Sequence, residues 1–379
     1  MIKKILIICA FVALAACARN PVTGENELHL ISQDQEVQMG EEQYPYMVQA
    51  QGGSYVLYPN VDSYVNAVGQ KLARVSDRPD LPYDFTVIND SVPNAWALPG
   101  GKIAINRGLL VHLENEAELA AVLAHEIVHA AARHTAQQLE QGMLINIGIA
   151  GIAQSTQGTA PSGLLDMGGN LIQMNYSRSA ESEADHYGMI YMQRAGYDPE
   201  AAVTLQELFM KFSGSSAFSA GLFASHPASA QRVEDNKKMA AQLEKGGFLG
   251  EEQYKRNIAS VVEAEPAYEY LDKAFKAYSN KNYSEAIRYS DQGIAKLPIE
   301  AKFYIVRGAA KDRINQNDTA KQDYTKAISL DPTYYLGYLQ RGMLYRETGQ
   351  YKKAKSDLTA SARLLPTSTA INALKAMPR

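Results

Sequence analysis

The chain has 379 residues, 46% of them hydrophobic, with 37 basic and 41 acidic side chains and a net charge of −4. That length holds two or three domains, and the composition is that of an ordinary globular protein, which excludes a disordered or fibrous chain. Two cysteines, Cys9 and Cys17, exclude a disulfide scaffold.

Met1-Ile-Lys-Lys4 is a basic start, and the apolar run over 5–15 is too short to span a bilayer, so residues 1–16 read as a secretory signal. Leu14-Ala15-Ala16-Cys17 resembles the bacterial lipoprotein signal box, in which Cys17 is lipidated and becomes the mature N-terminus. The alternative is an ordinary signal with a cysteine near its cut. Each buried acyl methylene contributes about 0.8 kcal/mol, so two or more chains hold a protein on a membrane durably. No later stretch has the length of a transmembrane helix. Residues 17–33 read as an extended, lipidated tether in which Asn20-Pro21-Val22-Thr23-Gly24 is turn-prone and polar.

Ser32 is positioned to cap a helix over 36–47, and Val61, Tyr64, Val65, Val68 and Leu72 stripe a second helix over 61–75. The period then changes to two: Tyr83, Phe85 and Val87 alternate with polar neighbours and predict a strand. Ala95-Trp-Ala-Leu98 and Ile103-Ala-Ile-Asn106 flank Pro99-Gly-Gly-Lys102 and predict a hairpin.

His125-Glu126-Ile-Val-His129 follows, inside strong helix-forming sequence that continues to Leu139. On one helix, positions i and i+4 share a face, so both imidazoles reach a single metal ion while Glu126 stands beside it as a base. Two core histidines on a buried helix are the bland alternative. By continuous helical phase, His134 projects about 180° from His125 and faces solvent. The stretch over 143–175 is apolar and glycine-rich with Asp166 as its only charge; it reads equally as a flap over a cleft or as two packed helices.

Catalytic zinc sites commonly take three protein ligands. Tyr176-Ser-Arg-Ser-Ala-Glu-Ser-Glu-Ala-Asp185 supplies candidates: Glu181 and Asp185 share a helical face with Arg178, and Glu183 turns about 160° away. Beside H-E-x-x-H, Glu181 is taken as the third ligand and Asp185 as the carboxylate that orients a ligating histidine. An exposed acidic helix start is the alternative. A helix over 199–212 and a loop over 213–225 come next.

The last third repeats. Pro298, Pro332 and Pro366 recur every 34 residues, as do Ala286, Ala320 and Ala354, and Ala274, Gly308 and Gly342. This is the tetratricopeptide pattern, with three repeats over 267–300, 301–334 and 335–368 and a capping helix over 368–376. Residues 267–379 carry 19 basic and 11 acidic side chains against 18 and 30 over 1–266. A basic array of this kind suits an acidic partner or an acidic neighbouring domain, and nucleic acid is a poor fit at this destination.

HEIVH and SRSAESEAD, preceded by Asn94-Ala-Trp-Ala-Leu-Pro-Gly-Gly-Lys102, resemble the zinc endopeptidases related to the HtpX and CAAX prenyl proteases. With the lipobox, Arg19-Asn-Pro-Val-Thr-Gly24 and the repeats, the chain looks most like the periplasmic beta-barrel assembly-enhancing protease group. The resemblance implies one zinc held by His125, His129 and Glu181, Glu126 as catalytic base, and a substrate cleft bordered by the strand at 95–98. It implies a mostly α fold: an α+β zincin-type peptidase domain over 34–262 followed by the α-helical repeats over 267–379. His226, before Pro227, has a family counterpart near the active site. It has three possible roles there: approaching the zinc, bonding a developing oxyanion, or filling the open coordination position in a latent form; the other reading is a surface histidine at a helix cap. The expected function is degradation of misfolded or misassembled envelope proteins, with the repeats recruiting substrate or docking on assembly machinery. The alternative is a repeat-based chaperone or scaffold lipoprotein with a latent or structural zinc. The expected location is the periplasm, anchored to the outer membrane, since Ala18 and not aspartate follows Cys17.

Overall fold

The computed structural model describes residues 17–142 and 176–378; the expected signal at 1–16 and the segment at 143–175 lie outside the described residues. The chain divides into two compact units: Met1–Tyr44, Asp62–Thr86 and Val92–Arg256 form one, and Pro45–Val61, Val87–Ser91 and Asn257–Arg379 the other. The architecture is mostly helical with small sheets, as expected.

The expected extended tether is corrected: strands β1 (Cys17–Arg19) and β2 (Asn26–Leu28) pair antiparallel. Asn20 organises the turn between them. Its side-chain oxygen accepts from the N–H groups of Val22 and Thr23 at 2.8 and 3.2 Å, and Gly24 takes φ +72° where the chain reverses. The Asn-Pro-x-Thr-Gly composition therefore encodes a turn that folds back on itself.

The helix Gln33–Ala50 begins with a reciprocal cap, Ser32 Oγ accepting from Gln35 N–H and Gln35 Oε1 from Ser32 N–H. The helix Pro59–Ala73 buries Val61, Val65 and Leu72 completely, each contributing about 1.5–3 kcal/mol. Its Gly69 is required by close approach, because a Cβ there would lie 2.5 Å from the Phe85 ring. Strands β3 (Asp84–Ile88), β4 (Ala95–Leu98) and β5 (Lys102–Asn106) form a sheet of order β3-β5-β4. The β4–β5 hairpin turns through Gly100 and Gly101 at φ +76° and +80°. A side chain at Gly100 would strike the backbone of Val37.

The loop expected over 213–225 contains two short helices, Ser216–Ala220 and Leu222–Ser225, the first anchored by Phe218, which stacks on Phe212 at 4.5 Å.

In the second unit, helices Tyr283–Lys296, Asn317–Leu330 and Tyr351–Leu364 begin 34 residues apart, as do Ala301–Arg313 and Tyr335–Glu347. Ala286, Ala320 and Ala354 are fully buried. Gly308 and Gly342 lie where a Cβ would meet Tyr324 and Leu358 at under 3 Å. Within successive repeats the same pair closes the helices: Arg307 binds Asp323, and Arg341 binds Asp357, each through two hydrogen bonds of 2.6–3.0 Å. The capping helix Ser368–Lys375 covers the end.

Candidate metal centre

The histidine helix, Glu116–Ala131, starts at Asn115, whose side chain accepts from Glu118 N–H at 2.9 Å while Glu118 Oε2 accepts from Glu114 N–H at 2.7 Å. Glu116 is buried in the first turn, where its carboxylate favours the positive end of the helix and accepts from Tyr64 and Tyr197 hydroxyls at 2.8 Å each. The acidic helix, Arg178–Arg194, packs against it through Gly188, where a Cβ would lie 3.4 Å from His125 N.

This crossing brings four donor groups together. His125, His129, Glu181 and His226 offer ligand atoms all within 4.8 Å of one another. His125 Nε2 lies 3.0 Å from His129 Nε2 and 3.3 Å from His226 Nδ1. Glu181 Oε1 lies 3.4 Å from His129 Nε2 and 2.8 Å from His226 Nδ1. Tetrahedral zinc, with ligands at about 2.0–2.2 Å, spaces its donor atoms about 3.3–3.5 Å apart. Three imidazoles and a carboxylate converging at 2.8–3.4 Å, slightly inside that spacing, match the ion's donor chemistry and approximate size.

Each imidazole turns one nitrogen inward and the other toward a protein group. His125 Nδ1 lies 3.1 Å from Asp185 Oδ1, His129 Nδ1 lies 2.8 Å from His134 Nδ1, and His226 Nε2 lies 3.5 Å from Glu126 Oε1. Glu126 is 1% exposed, and its Oε2 has no hydrogen-bond partner among the described residues. Burial pushes the Glu126 carboxyl up, opposed in part by His226 and His125. Burial depresses His125, but Glu181 and Asp185 outweigh it and raise its pKa to about 10. Burial holds His129 well below the ordinary imidazole value. Burial would raise Glu181 and Asp185, yet His226 and His125 pull the first well down, and Arg232 lowers the second.

The arginine serving these carboxylates is Arg232, on the helix Ala230–Ala240. It binds Asp185 in bidentate fashion at 2.7 Å and reaches Glu181 Oε2 at 2.7 Å. Arg178, read from the sequence as sharing their helical face, is exposed at the start of its helix. Helical spacing pointed to Arg178, whereas Arg232 comes from another helix 47 residues beyond Asp185. Its only trace in the sequence is its place shortly after His226-Pro227. The surface reading of His226 is corrected too, since the residue is 5% exposed within the cluster.

His134 is likewise buried, not solvent-facing. The histidine helix ends at Ala131, Arg133 adopts φ +64°, and helix resumes at His134. That left-handed residue resets the helical phase, so His134 turns back toward His129 and the projection from continuous helix fails. Arg133 is held in place by Glu36, Glu140 and the Ile31 carbonyl.

Beside Glu126 a cleft is lined by Val122, Met189, Leu205, Phe209 and Leu222. Strand β4 is the edge of its sheet among the described residues. Because Asn106 N–H bonds Asn94 O, alternation of the ladder turns the backbone groups of Ala95 and Ala97 toward that open edge.

An H-E-x-x-H helix crossed by a glutamate-bearing helix, with a buried carboxylate beside converging metal donors, defines a metallopeptidase. Residues 59–240 match Peptidase family M48, and residues 301–334 and 323–356 match tetratricopeptide repeats. The chain therefore carries an M48 peptidase domain, of a zinc-dependent family, followed by tetratricopeptide repeats. It is similar to the mitochondrial metalloendopeptidase OMA1 of Schizosaccharomyces pombe, at 32% identity over 56% of this chain and 63% of the relative. It is also similar to the beta-barrel assembly-enhancing protease of Escherichia coli K12, at 29% identity over 59% of this chain and 47% of that protein. Among solved structures, the Arabidopsis OM64 TPR domain is 29% identical over 30% of this chain and 94% of its own, with a TM-score of 0.29. The chain thus spans about half to two-thirds of the length of these two curated relatives.

Proposed function

We propose that the chain is a zinc endopeptidase of the bacterial cell envelope that degrades misfolded or misassembled proteins. Its peptidase domain spans 34–262 and its repeats span 267–379. The carrying observation is the convergence of His125, His129 and Glu181 donors beside the buried Oε2 of Glu126, which has no partner among the described residues. One zinc per chain, when bound there, supplies the Lewis acid and lowers the pKa of water toward neutrality. Glu126 takes the proton of the attacking water and passes it to the leaving amine. Asp185, clasped by Arg232, holds the ring of His125 in place. An extended peptide adds to the Ala95 and Ala97 edge through main-chain hydrogen bonds, and one apolar side chain enters the cleft at Val122 and Leu205. Recognition of that kind reads backbone and apolar character, which suits unfolded chains. The repeats recruit a substrate or a protein partner, and outer-membrane assembly machinery is the candidate that the similarity to the assembly-enhancing protease suggests. Lipid on Cys17 anchors the chain on the periplasmic side of the outer membrane; no helix among the described residues is long and apolar enough to cross a bilayer.

Replacing Glu126 with Gln tests the mechanism: zinc content stays at one per chain and casein cleavage is abolished. Full cleavage by that variant would sink it.

A second reading has a specific observation behind it. His226 Nδ1 belongs to the donor cluster, at 3.3 Å from His125 Nε2. As a fourth ligand it occupies the position that water needs, so the enzyme rests in a latent state until the Leu222–Ser225 segment and His226 withdraw. A repeat-based scaffold with a latent zinc is the extreme form of this reading.

A further inference from the structure

His134 and Glu183 have no part in the mechanism above, yet both lead to the metal ligand His129. His129 is fully buried, with the ring of Tyr176 stacked on it at 3.8 Å and an interplanar angle of 22°. Tyr176 is itself tied to Thr135 by a hydroxyl–hydroxyl hydrogen bond of 2.9 Å. Stacking fixes the plane of the imidazole but not the nitrogen that carries its proton. His129 Nδ1 faces His134 Nδ1 at 2.8 Å. His134 Nε2 in turn lies 3.3 Å from Glu183 Oε1, a buried oxygen that no group among the described residues hydrogen-bonds.

Two facing imidazole nitrogens share one proton, so the contact has a direction. If His134 donated, His129 would carry its proton on Nε2, aimed into the donor cluster, and could not bind a cation there. If His129 donates, its Nε2 presents a bare lone pair to the metal, and His134 must carry its own proton on Nε2, where Glu183 receives it. The acceptor at the far end of the chain therefore selects the tautomer at the near end.

We propose that His134 and Glu183 are positioning residues for the metal site: His129 Nδ1–H donates to His134 Nδ1, and His134 Nε2–H donates to Glu183, which holds the bare Nε2 of His129 toward the zinc. The inference rests on the zinc reading given above. It assigns a role to an imidazole that normally falls to a carboxylate or a carbonyl. The oriented chain also polarises His129 and strengthens it as a ligand.

The test measures zinc affinity of the full chain by chelator competition, together with the visible absorption of the cobalt-substituted protein. His134→Ala and Glu183→Ala are expected to weaken zinc by about 10–100-fold, the range for losing a ligand's outer hydrogen-bond partner. His134→Asn, whose Oδ1 stands near the lost Nδ1 and accepts from His129, is expected to restore most of the affinity and the native cobalt spectrum. Glu183 is partly exposed on its helix, so Glu183→Ala keeps the test decisive even if His134→Ala fails to fold. Affinities of both alanine variants within about twofold of native, or His134→Asn no better than His134→Ala, would overturn the proposal. Absence of zinc from the native chain is a different result: it would overturn the zinc reading and this inference with it.

Discussion

Arg232 clasps Asp185 through two parallel hydrogen bonds, Nε to Oδ2 and Nη2 to Oδ1, each 2.7 Å long. One guanidinium, whose third nitrogen reaches Glu181, thus compensates two carboxylates buried in the same site. Arg232→Ala leaves both without that cation and is expected to cost about 3–5 kcal/mol in urea unfolding of the metal-free chain. Arg232→Lys keeps the charge but loses the fork, and its stability should fall between the two. A wild-type unfolding midpoint for Arg232→Ala would contradict this account.

Zinc binding should release about one proton per chain at pH 7.5, and apparent affinity should rise about tenfold per pH unit in that region. In the metal-free chain His125, with its pKa raised to about 10, is protonated at this pH and must be neutral to bind. His129, held well below its usual value, is already neutral and contributes nothing. Below pH 10 the free chain therefore binds the extra proton, and raising pH removes the competitor. Calorimetric titration in two buffers of different ionisation enthalpy counts the protons; a count of zero would show that the carboxylates do not hold a cation on His125.

The latent reading predicts that His226→Ala retains zinc through His125, His129 and Glu181 and cleaves casein several-fold faster than wild type. A slower variant would assign His226 to the chemistry instead. The measurement is initial rate at saturating zinc, with metal content determined on the same samples.

Asn20 does more than organise its own turn. Its Nδ2 donates to Glu27 at 2.9 Å and to the Ala132 carbonyl, at the end of the histidine helix, at 3.1 Å. Asn20→Ala abolishes both and removes the acceptor of the buried Val22 N–H, for an expected loss of about 1–3 kcal/mol. A melting temperature equal to wild type would mean that the hairpin and the helix end are independent.

What the sequence determined alone is periodic or local. The 34-residue columns of proline, alanine and glycine placed the repeats, because each unit stacks on an identical neighbour and must repeat its small residues where helices cross. His125, Glu126 and His129 were legible because one helical turn separates them, and the Gly100-Gly101 hairpin because only glycine adopts those backbone angles cheaply. Tertiary structure decided the rest of the site. Arg232 reaches Asp185 from a separate helix, so no spacing rule connects them. A single left-handed residue, Arg133, turned His134 from the surface to the interior, since one positive φ redirects every later side chain. The local turn at Asn20 folds the hairpin, but its docking on the end of the histidine helix rests on a bond from Asn20 Nδ2 to Ala132, 112 residues away. Helical phase is a property of the chain; which phases are interrupted, and what meets at the interruption, depends on how distant elements pack.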